Sequence, residues 1–553
     1  MPTPDATPEV PRPTHSDATT PVLLALLVAC HVGQAAWVIA VDRTWPYLMT
    51  HQLHMGAREL HHALHAPGFR WLVRGLAGEG PLVEASAPWP PLTALCTHFA
   101  SVALGELSRY SAAWGAVPWT AVLLLATYRL GRQLAGPRTG LVAALVVGSY
   151  PMVLGHRTMA MPFLPLAAQI AALAGAIRNL DARPSARTRL EVGVWAGLAL
   201  LTRLEASAHI AVVVATSLLA CPAAARRRLV KNLAWAAGVA VVVGGWWLLP
   251  SAWRSLRFYL SVGLLERQVA NDKVELLSLT NLFYYPARLV QVQLGLPMAA
   301  LAVGSLVWAV RRRVEGIRPL VVWVVALWVF YVFVPMKGGR YTLPLLVPLA
   351  VCTAVAAREL ARRGARAVEG SIAVLALVQW IVLVHAPDAE LVYRAAGHRP
   401  ERWGTTAELW EDAVDVGRLQ PWTAPDWDHA IERLALAIDR YAARRGLDTP
   451  TVGIADEVAG YVNPLLEIRR LQGADFERYL RYQAPPPYAE RVARHAAKLA
   501  EVDLLIVPQD YAPSANDERS QIKSEAMARA SSGRPTVASV RLPDGGRAIL
   551  LGR

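Results

Sequence analysis

Residues 21–47 read PVLLALLVACHVGQAAWVIAVDRTWPY. From Pro21 to Val41 no Asp, Glu, Lys or Arg interrupts the run; Asp42 and Arg43 follow at once. A helix needs ~20 apolar residues to cross ~30 Å of hydrocarbon. The stretch therefore predicts a spanning helix that ends on a carboxylate. Before it, Met1–Thr20 is rich in Pro and Thr and lacks a basic start. It reads as a disordered tail ahead of a retained first helix, not as a cleaved signal.

The same pattern recurs along the chain. Further spans are expected at Pro90–Leu107, Trp114–Tyr128, Thr139–Gly155, Met161–Ile177, Val192–Leu204, Ala206–Ala220, Asn232–Pro250, Leu289–Val310, Pro319–Pro335, Tyr341–Ala357 and Gly370–His385. The predicted class is mostly α, a polytopic bundle of about 11–13 helices over 21–386. Hydrophobic residues are 54% of the 553 and charged ones 18%, against ~25% charge in soluble chains. The net charge of +14 sits in clusters at the ends of apolar runs, such as Arg226–Arg228 and Arg311–Arg313. That is a positive-inside bias and not a nucleic-acid surface. The four cysteines, Cys30, Cys96, Cys221 and Cys352, lie in or beside apolar segments and predict no disulfide framework.

The basic loops Arg178–Arg189, Arg226–Lys231, Arg311–Arg318 and Arg358–Arg366 should face the cytoplasm. Counting from them makes the chain multi-pass, with everything after His385 extracytoplasmic; the expected location, a bacterial inner membrane, is not read from this count. One conflict arises. The 42–88 loop should be outside and Arg129–Arg138 inside, yet two apolar runs lie between them. Either Pro90–Leu107 is partly re-entrant, or Arg129–Arg138 breaks the rule. Beyond the membrane part, 387–553 reads as a soluble α/β domain. Strands are expected at Thr451–Ala455, Asp503–Pro508, Thr536–Leu542 and Arg547–Leu551, with a hairpin turn at Asp544-Gly545. Helices are expected at Asp428–Arg445 and Pro487–Glu501.

Asp42, at a membrane edge, is placed to take a proton from an acceptor or to bind a cation. Taken alone it reads more simply as a solvated helix end. His51, His54, His61, His62 and His65 share one face of an expected interfacial helix. His61 and His65, at i and i+4, have the spacing to hold a divalent metal, but no nearby carboxylate or cysteine completes a set. The plainer reading is a polar face that meets lipid phosphates. Lys337 and Arg340, in MKGGRY, form a cation pair in an expected outer loop, suited to a phosphate; the alternative is snorkelling charge. Arg203 and Glu205 interrupt an apolar stretch, which marks them as functional candidates or as a pair at a helix junction. Glu84 and Glu79 are the remaining carboxylates of the first loop able to serve as a second one.

These motifs, in this order, resemble the GT-C glycosyltransferases, and within them the family 39 type with the protein mannosyltransferases and lipid A aminoarabinose transferases. The resemblance rests on the first helix ending in Asp42, the long loop, and Pro90-Pro91-Leu92 opening the next helix. It continues through the link Tyr128–Arg138, Ser149-Tyr150-Pro151 with His156-Arg157, Gly197–Arg203 and Arg340–Leu345. It implies a sugar donor linked to polyprenyl phosphate, a membrane-lipid environment, and a glycan, lipid or protein acceptor on the outer face. Asp42 would be catalytic. Arg157, Lys337, Arg340 and Tyr341 would bind the donor phosphate. Arg43, Glu84, His156, Arg203 and Glu205 would be accessory. This chain departs from the pattern twice. Arg43 stands where the family often has Glu, and no acidic residue follows Arg157 before Asn179. The rival readings are a non-catalytic lipid- or glycan-binding relative and a lipid-linked-sugar transporter.

Overall fold

The computed structural model describes residues 19–41, 90–104, 109–159, 161–260, 278–314, 316–334, 338–365, 367–385, 427–447, 451–454, 472–473, 488–509, 518–541 and 547–553. These form two compact units, one helical and one α/β.

The helical unit begins with α1 (Thr19–Val41), α2 (Leu92–Leu104), α3 (Arg109–Ala135), α4 (Pro137–Gly148), the short α5 (Pro151–His156), α6 (Phe163–Ala182) and α7 (Ala186–Thr202). It continues with α8 (Ala206–Ala220), α9 (Ala223–Leu260), α10 (Leu279–Arg288), α11 (Leu296–Arg311), α12 (Arg318–Phe333), α13 (Leu346–Arg362) and α14 (Ala367–His385). Among the described residues, five stretches are long and apolar enough to cross a membrane, and five shorter apolar helices accompany them. The expected all-helical membrane bundle is therefore present. Val242, Leu249 and Val374 are left exposed on the bundle, as lipid-facing side chains are.

Two contacts set the direction of α1. Leu24 and Leu27 pack with Ala144, Tyr128 and Leu141, while Ala35 and Ile39 pack with Val117 and Trp114. So α1 and α3 run antiparallel. At the far end of α3, Arg129 pairs with Glu191, and Gln133 donates to Gly175 O at 3.0 Å and to Asn179 Oδ1 at 2.7 Å. The Arg129–Arg138 link therefore shares an end of the bundle with the Arg178–Arg189 loop.

This bears on the parity conflict: the link lies at the bundle end opposite Val41. The described part of α2, Leu92–Leu104, has 13 residues, about 20 Å at 1.5 Å per residue. It also folds back along the start of α3. A Cβ on Gly115 would lie 3.0 Å from the Cys96 and Thr97 backbone. Among the described residues α2 thus packs back on α3, as the partly re-entrant alternative for Pro90–Leu107 requires.

Close helix approaches carry the packing. Gly140 sits where a Cβ would meet Tyr128 O at 2.5 Å, which lets α3 and α4 close into a hairpin. Gly136, at φ 98, turns the chain there, and Pro137 starts α4. Gly193 and Gly197, four apart on α7, meet α9 with only 2.5 Å to Ala236 O and 2.7 Å to Val243 Cβ. This is the small-residue approach typical of helices in lipid.

The α/β unit holds α15 (Trp427–Arg445), β1 (Thr451–Ile454), β2 (Gln472–Gly473), α16 (Tyr488–Glu501), β3 (Leu504–Pro508), α17 (Glu518–Ser531), β4 (Thr536–Arg541) and β5 (Arg547–Gly552). The sheet order is β2-β1-β3-β5-β4, with β1 parallel to β2 and β3, and β5 antiparallel to β3 and β4. Leu504, Ile506, Leu550, Val492 and Ile438 fill its core. The four expected strands are present. The two-residue β2 and the polar α17 were not anticipated, the first being too short for any periodicity. Arg534 stitches this unit together. It donates to Val502 O and Leu499 O at 2.9 Å, Ala500 O at 3.0 Å and Ala530 O at 3.1 Å, closing the carboxyl ends of α16 and α17. Burial, with nearby Arg553 adding to it, holds its basicity below the ordinary arginine value.

Candidate functional site

Arg157 caps α5, whose start is fixed by Pro151 and an extended Tyr150. The guanidinium is 1% exposed. Its Nη1 donates to Gln34 Oε1 at 2.7 Å. The same Gln34 oxygen accepts from Trp380 Nε1 at 2.8 Å. One turn earlier on α1, His31 stacks on Trp380 at 4.3 Å and 9°. The Nε and Nη2 of Arg157 have no partner among the described residues. These two nitrogens form one edge of the guanidinium, the edge that takes a carboxylate or phosphate in two parallel hydrogen bonds. A buried cation without a counter-ion is costly, so this edge marks a place for an anion.

A second arginine shows what the same edge does when paired. Arg203, in the extended residue after α7, donates from Nε to Glu205 Oε2 at 3.0 Å and from Nη2 to Glu205 Oε1 at 2.5 Å. Glu205 occupies the N-cap position of α8. Arg203 lies over the Phe163 ring at 4.6 Å and the Tyr341 ring at 5.4 Å. Arg340 lies over the same two rings, at 5.7 and 5.2 Å. His156 meets Phe163 edge-on at 5.9 Å, which joins this aromatic group to the Arg157 segment. On its other side, Tyr341 stacks at 6.5 Å on Tyr331, whose hydroxyl is 2.7 Å from His209 Nε2.

The Gly339–Leu345 turn that carries Arg340 and Tyr341 is held from below. Gln293 Nε2 donates to Gly339 O at 2.5 Å and to Thr342 Oγ1 at 2.7 Å. A Cβ on Gly338 would lie 2.9 Å from the Tyr341 ring, so the ring folds back over a bare backbone. Gln379 Nε2 bridges Ser149 O at 3.0 Å and Leu294 O at 2.9 Å. Adjacent residues of α14, Gln379 and Trp380, thus tie the last helix to three elements around Arg157.

Of the residues singled out in the sequence, His156, Arg157, Arg203, Glu205, Arg340 and Tyr341 form one connected group. Asp42, Arg43, His61, His65, Glu79, Glu84 and Lys337 lie outside the described residues. Among the described residues, no three His, Cys, Asp or Glu side chains gather as a metal site would require. His31, Gln34, Gln379, Trp380, Phe163 and His209 were not anticipated. A signal for the first two exists: His31 and Gln34 are lone polar residues, three apart, inside the first apolar run.

No family model and no curated protein matches the chain. Solved structures do. ArnT from Cupriavidus metallidurans in the apo state is 16% identical, with TM-score 0.61 over 97% of this chain and 98% of that one. ArnT bound to undecaprenyl phosphate matches at TM-score 0.59 and 16% identity, over the same shares of both chains. The oligosaccharyltransferase AglB from Archaeoglobus fulgidus, with an inhibitory peptide and a dolichol-phosphate, is 12% identical, with TM-score 0.51 over 97% of this chain and 74% of that one. At such identities the likeness is one of fold. The fold is the GT-C type that the sequence motifs resembled.

Proposed function

We propose that this protein is a membrane glycosyltransferase that moves a sugar from a polyprenyl-phosphate donor to an acceptor on the outer face of a bacterial inner membrane. The observation that carries this reading is the buried Nε–Nη2 edge of Arg157, which has no partner among the described residues. The donor's phosphodiester supplies two non-bridging oxygens to such an edge and the charge it lacks, and the monoester that leaves keeps both. Arg340 and Tyr341 complete the donor site, with His156, Arg203 and Glu205 around it; Lys337 is assigned to the donor phosphate, and Arg43 and Glu84 to accessory roles, on their place in the sequence alone. The fold likeness to ArnT with undecaprenyl phosphate and AglB with dolichol-phosphate supports this donor class.

The chemistry is a single displacement. The acceptor oxygen or nitrogen attacks the sugar's anomeric carbon, the bond from that carbon to the phosphate oxygen breaks, and the lipid phosphate leaves with both electrons. Asp42 takes the acceptor's proton. Gln34, the partner of Arg157, lies seven residues before Val41, about 10 Å along a helix, and Asp42 is the next residue in the sequence. Arg157 stabilises the growing charge on the leaving phosphate. The acceptor is a glycan, lipid or protein. No step requires a metal; one held by His61 and His65 would be an addition to this scheme.

A second reading, a non-catalytic binder of lipid phosphate, is favoured by one observation. Glu205 is the carboxylate within the described cluster, and Arg203 already engages it. One assay separates the two. Purified protein in nanodiscs is given a panel of polyprenyl-phosphate sugars with outer-envelope acceptors. Transfer supports the enzyme. Tight binding of undecaprenyl phosphate without transfer of any sugar supports the binder. Failure to bind undecaprenyl phosphate better than undecaprenol sinks both.

A further inference from the structure

We infer that Gln34 is the positioning residue of the anion site: it orients Arg157 while leaving the arginine's charge unspent, and Trp380 of the last helix holds Gln34 in place. The inference rests on the reading of Arg157 as the donor-phosphate ligand.

The carbonyl oxygen of Gln34 has two lone pairs, and both are taken, one by Arg157 Nη1 and one by Trp380 Nε1. Two donors on one oxygen fix which end of the amide faces the arginine. They also fix the plane of the guanidinium, since Nη1 lies opposite the unpartnered edge. Trp380 in turn cannot swing, because His31 stacks flat on its ring. His31 is wedged against Gly148, where a Cβ would come within 2.7 Å of its Nε2. The chain of support therefore runs from α4 through His31 and Trp380 to Gln34, and from there to Arg157.

The neutrality of residue 34 is the functional part. Glu205 shows what a carboxylate does nearby: it takes the Nε–Nη2 edge of Arg203 and its charge together. A carboxylate at position 34 would satisfy Arg157 and Trp380 as geometry requires, yet it would neutralise the cation that the phosphate needs. An amide gives the hydrogen bonds without the charge. Were Gln34 only a structural partner of a buried arginine, a glutamate would serve better, by forming an ion pair.

The test uses the full-length protein in nanodiscs, with undecaprenyl phosphate and undecaprenol as probes. Gln34→Glu is expected to keep or raise the Tm while weakening undecaprenyl phosphate binding at least tenfold and leaving undecaprenol binding unchanged. Trp380→Phe keeps the ring over His31 but removes the Nε1 donor; it is expected to weaken phosphate binding a few-fold and serves if Gln34→Glu does not fold. If both bind undecaprenyl phosphate as the unmodified protein does while Arg157→Ala loses it, the role of Gln34 is refuted and the donor site stands. If Arg157→Ala also binds normally, the donor-site reading falls and takes this inference with it.

Discussion

Gln34 Oε1 and Arg157 Nη1 are 2.7 Å apart, and that contact is the one hydrogen bond this buried guanidinium makes among the described residues. Arg203, nearby in the same cluster, has its bidentate edge filled by Glu205. One arginine is internally neutralised and the other is held ready by a neutral amide. The contrast separates a structural cation from a binding one, and it drives the predictions that follow.

Arg157→Ala is expected to abolish undecaprenyl phosphate binding, with little change for undecaprenol. Arg157→Lys keeps the charge but lacks the planar fork, so it should recover only part of the affinity. Isothermal titration in nanodiscs measures both. Equal affinity for lysine and arginine would show that the phosphate is not gripped in two parallel bonds.

Glu205→Gln removes the charge that balances Arg203, whose side chain is 3% exposed. Breaking a buried pair from one side costs about 3 kcal/mol. The expected result is a clearly lower Tm together with a disturbed Phe163–Tyr341 platform, seen as weakened donor binding. The double variant Arg203→Met with Glu205→Gln should recover most of the stability, because no lone charge is then left.

The bundle itself was legible because a membrane imposes a length and a polarity on each span, and the strands of the α/β unit because they alternate and end at turns. The site was legible only in its charged residues. Arg157, Arg203 and Arg340 stand out against an apolar background, and intramembrane charge is rare enough to notice. Gln34 and Trp380 do not stand out, since their importance lies in meeting each other across 346 positions of the chain. Nothing local in either segment encodes that encounter. The fold-back of α2 on Gly115 is likewise a tertiary contact that hydropathy does not register.

Gly140→Ala should fail where an ordinary helix glycine would gain from alanine. The added methyl would lie 2.5 Å from Tyr128 O, a backbone atom that cannot rotate away. Overpacking of this kind costs about 1–3 kcal/mol. A thermal shift in detergent measures it. An unchanged Tm would mean that α3 and α4 are not locked at this crossing.

In the α/β unit, Arg534→Ala leaves four carbonyls without their shared donor. Hydrogen bonds from a charged group contribute ~1.5–3 kcal/mol, and the half-exposed rim of this cluster puts the loss toward the lower figure. The expected signature is faster amide exchange at the ends of α16 and α17, with the helical unit unaffected. Arg534→Lys should not rescue it, because an ammonium cannot span carbonyls on both helices at once.

The remaining prediction concerns Asp42, which follows the last residue of α1. If it takes the acceptor's proton, Asp42→Asn removes the base but not the donor site. General-base catalysis contributes ~10²–10⁴ in rate, so turnover should fall at least a hundredfold while undecaprenyl phosphate affinity stays within a factor of two. Loss of affinity along with rate would instead mean that Asp42 acts on binding, as a ligand or through Arg43. Unchanged turnover would remove Asp42 from the chemistry and move the search for the base to the loop carboxylates Glu79 and Glu84. The pairing of the two measurements matters: Arg157 variants should change affinity and rate together, and Asp42 variants rate alone. Arg157 and Asp42 can thus be assigned to opposite sides of the same displacement.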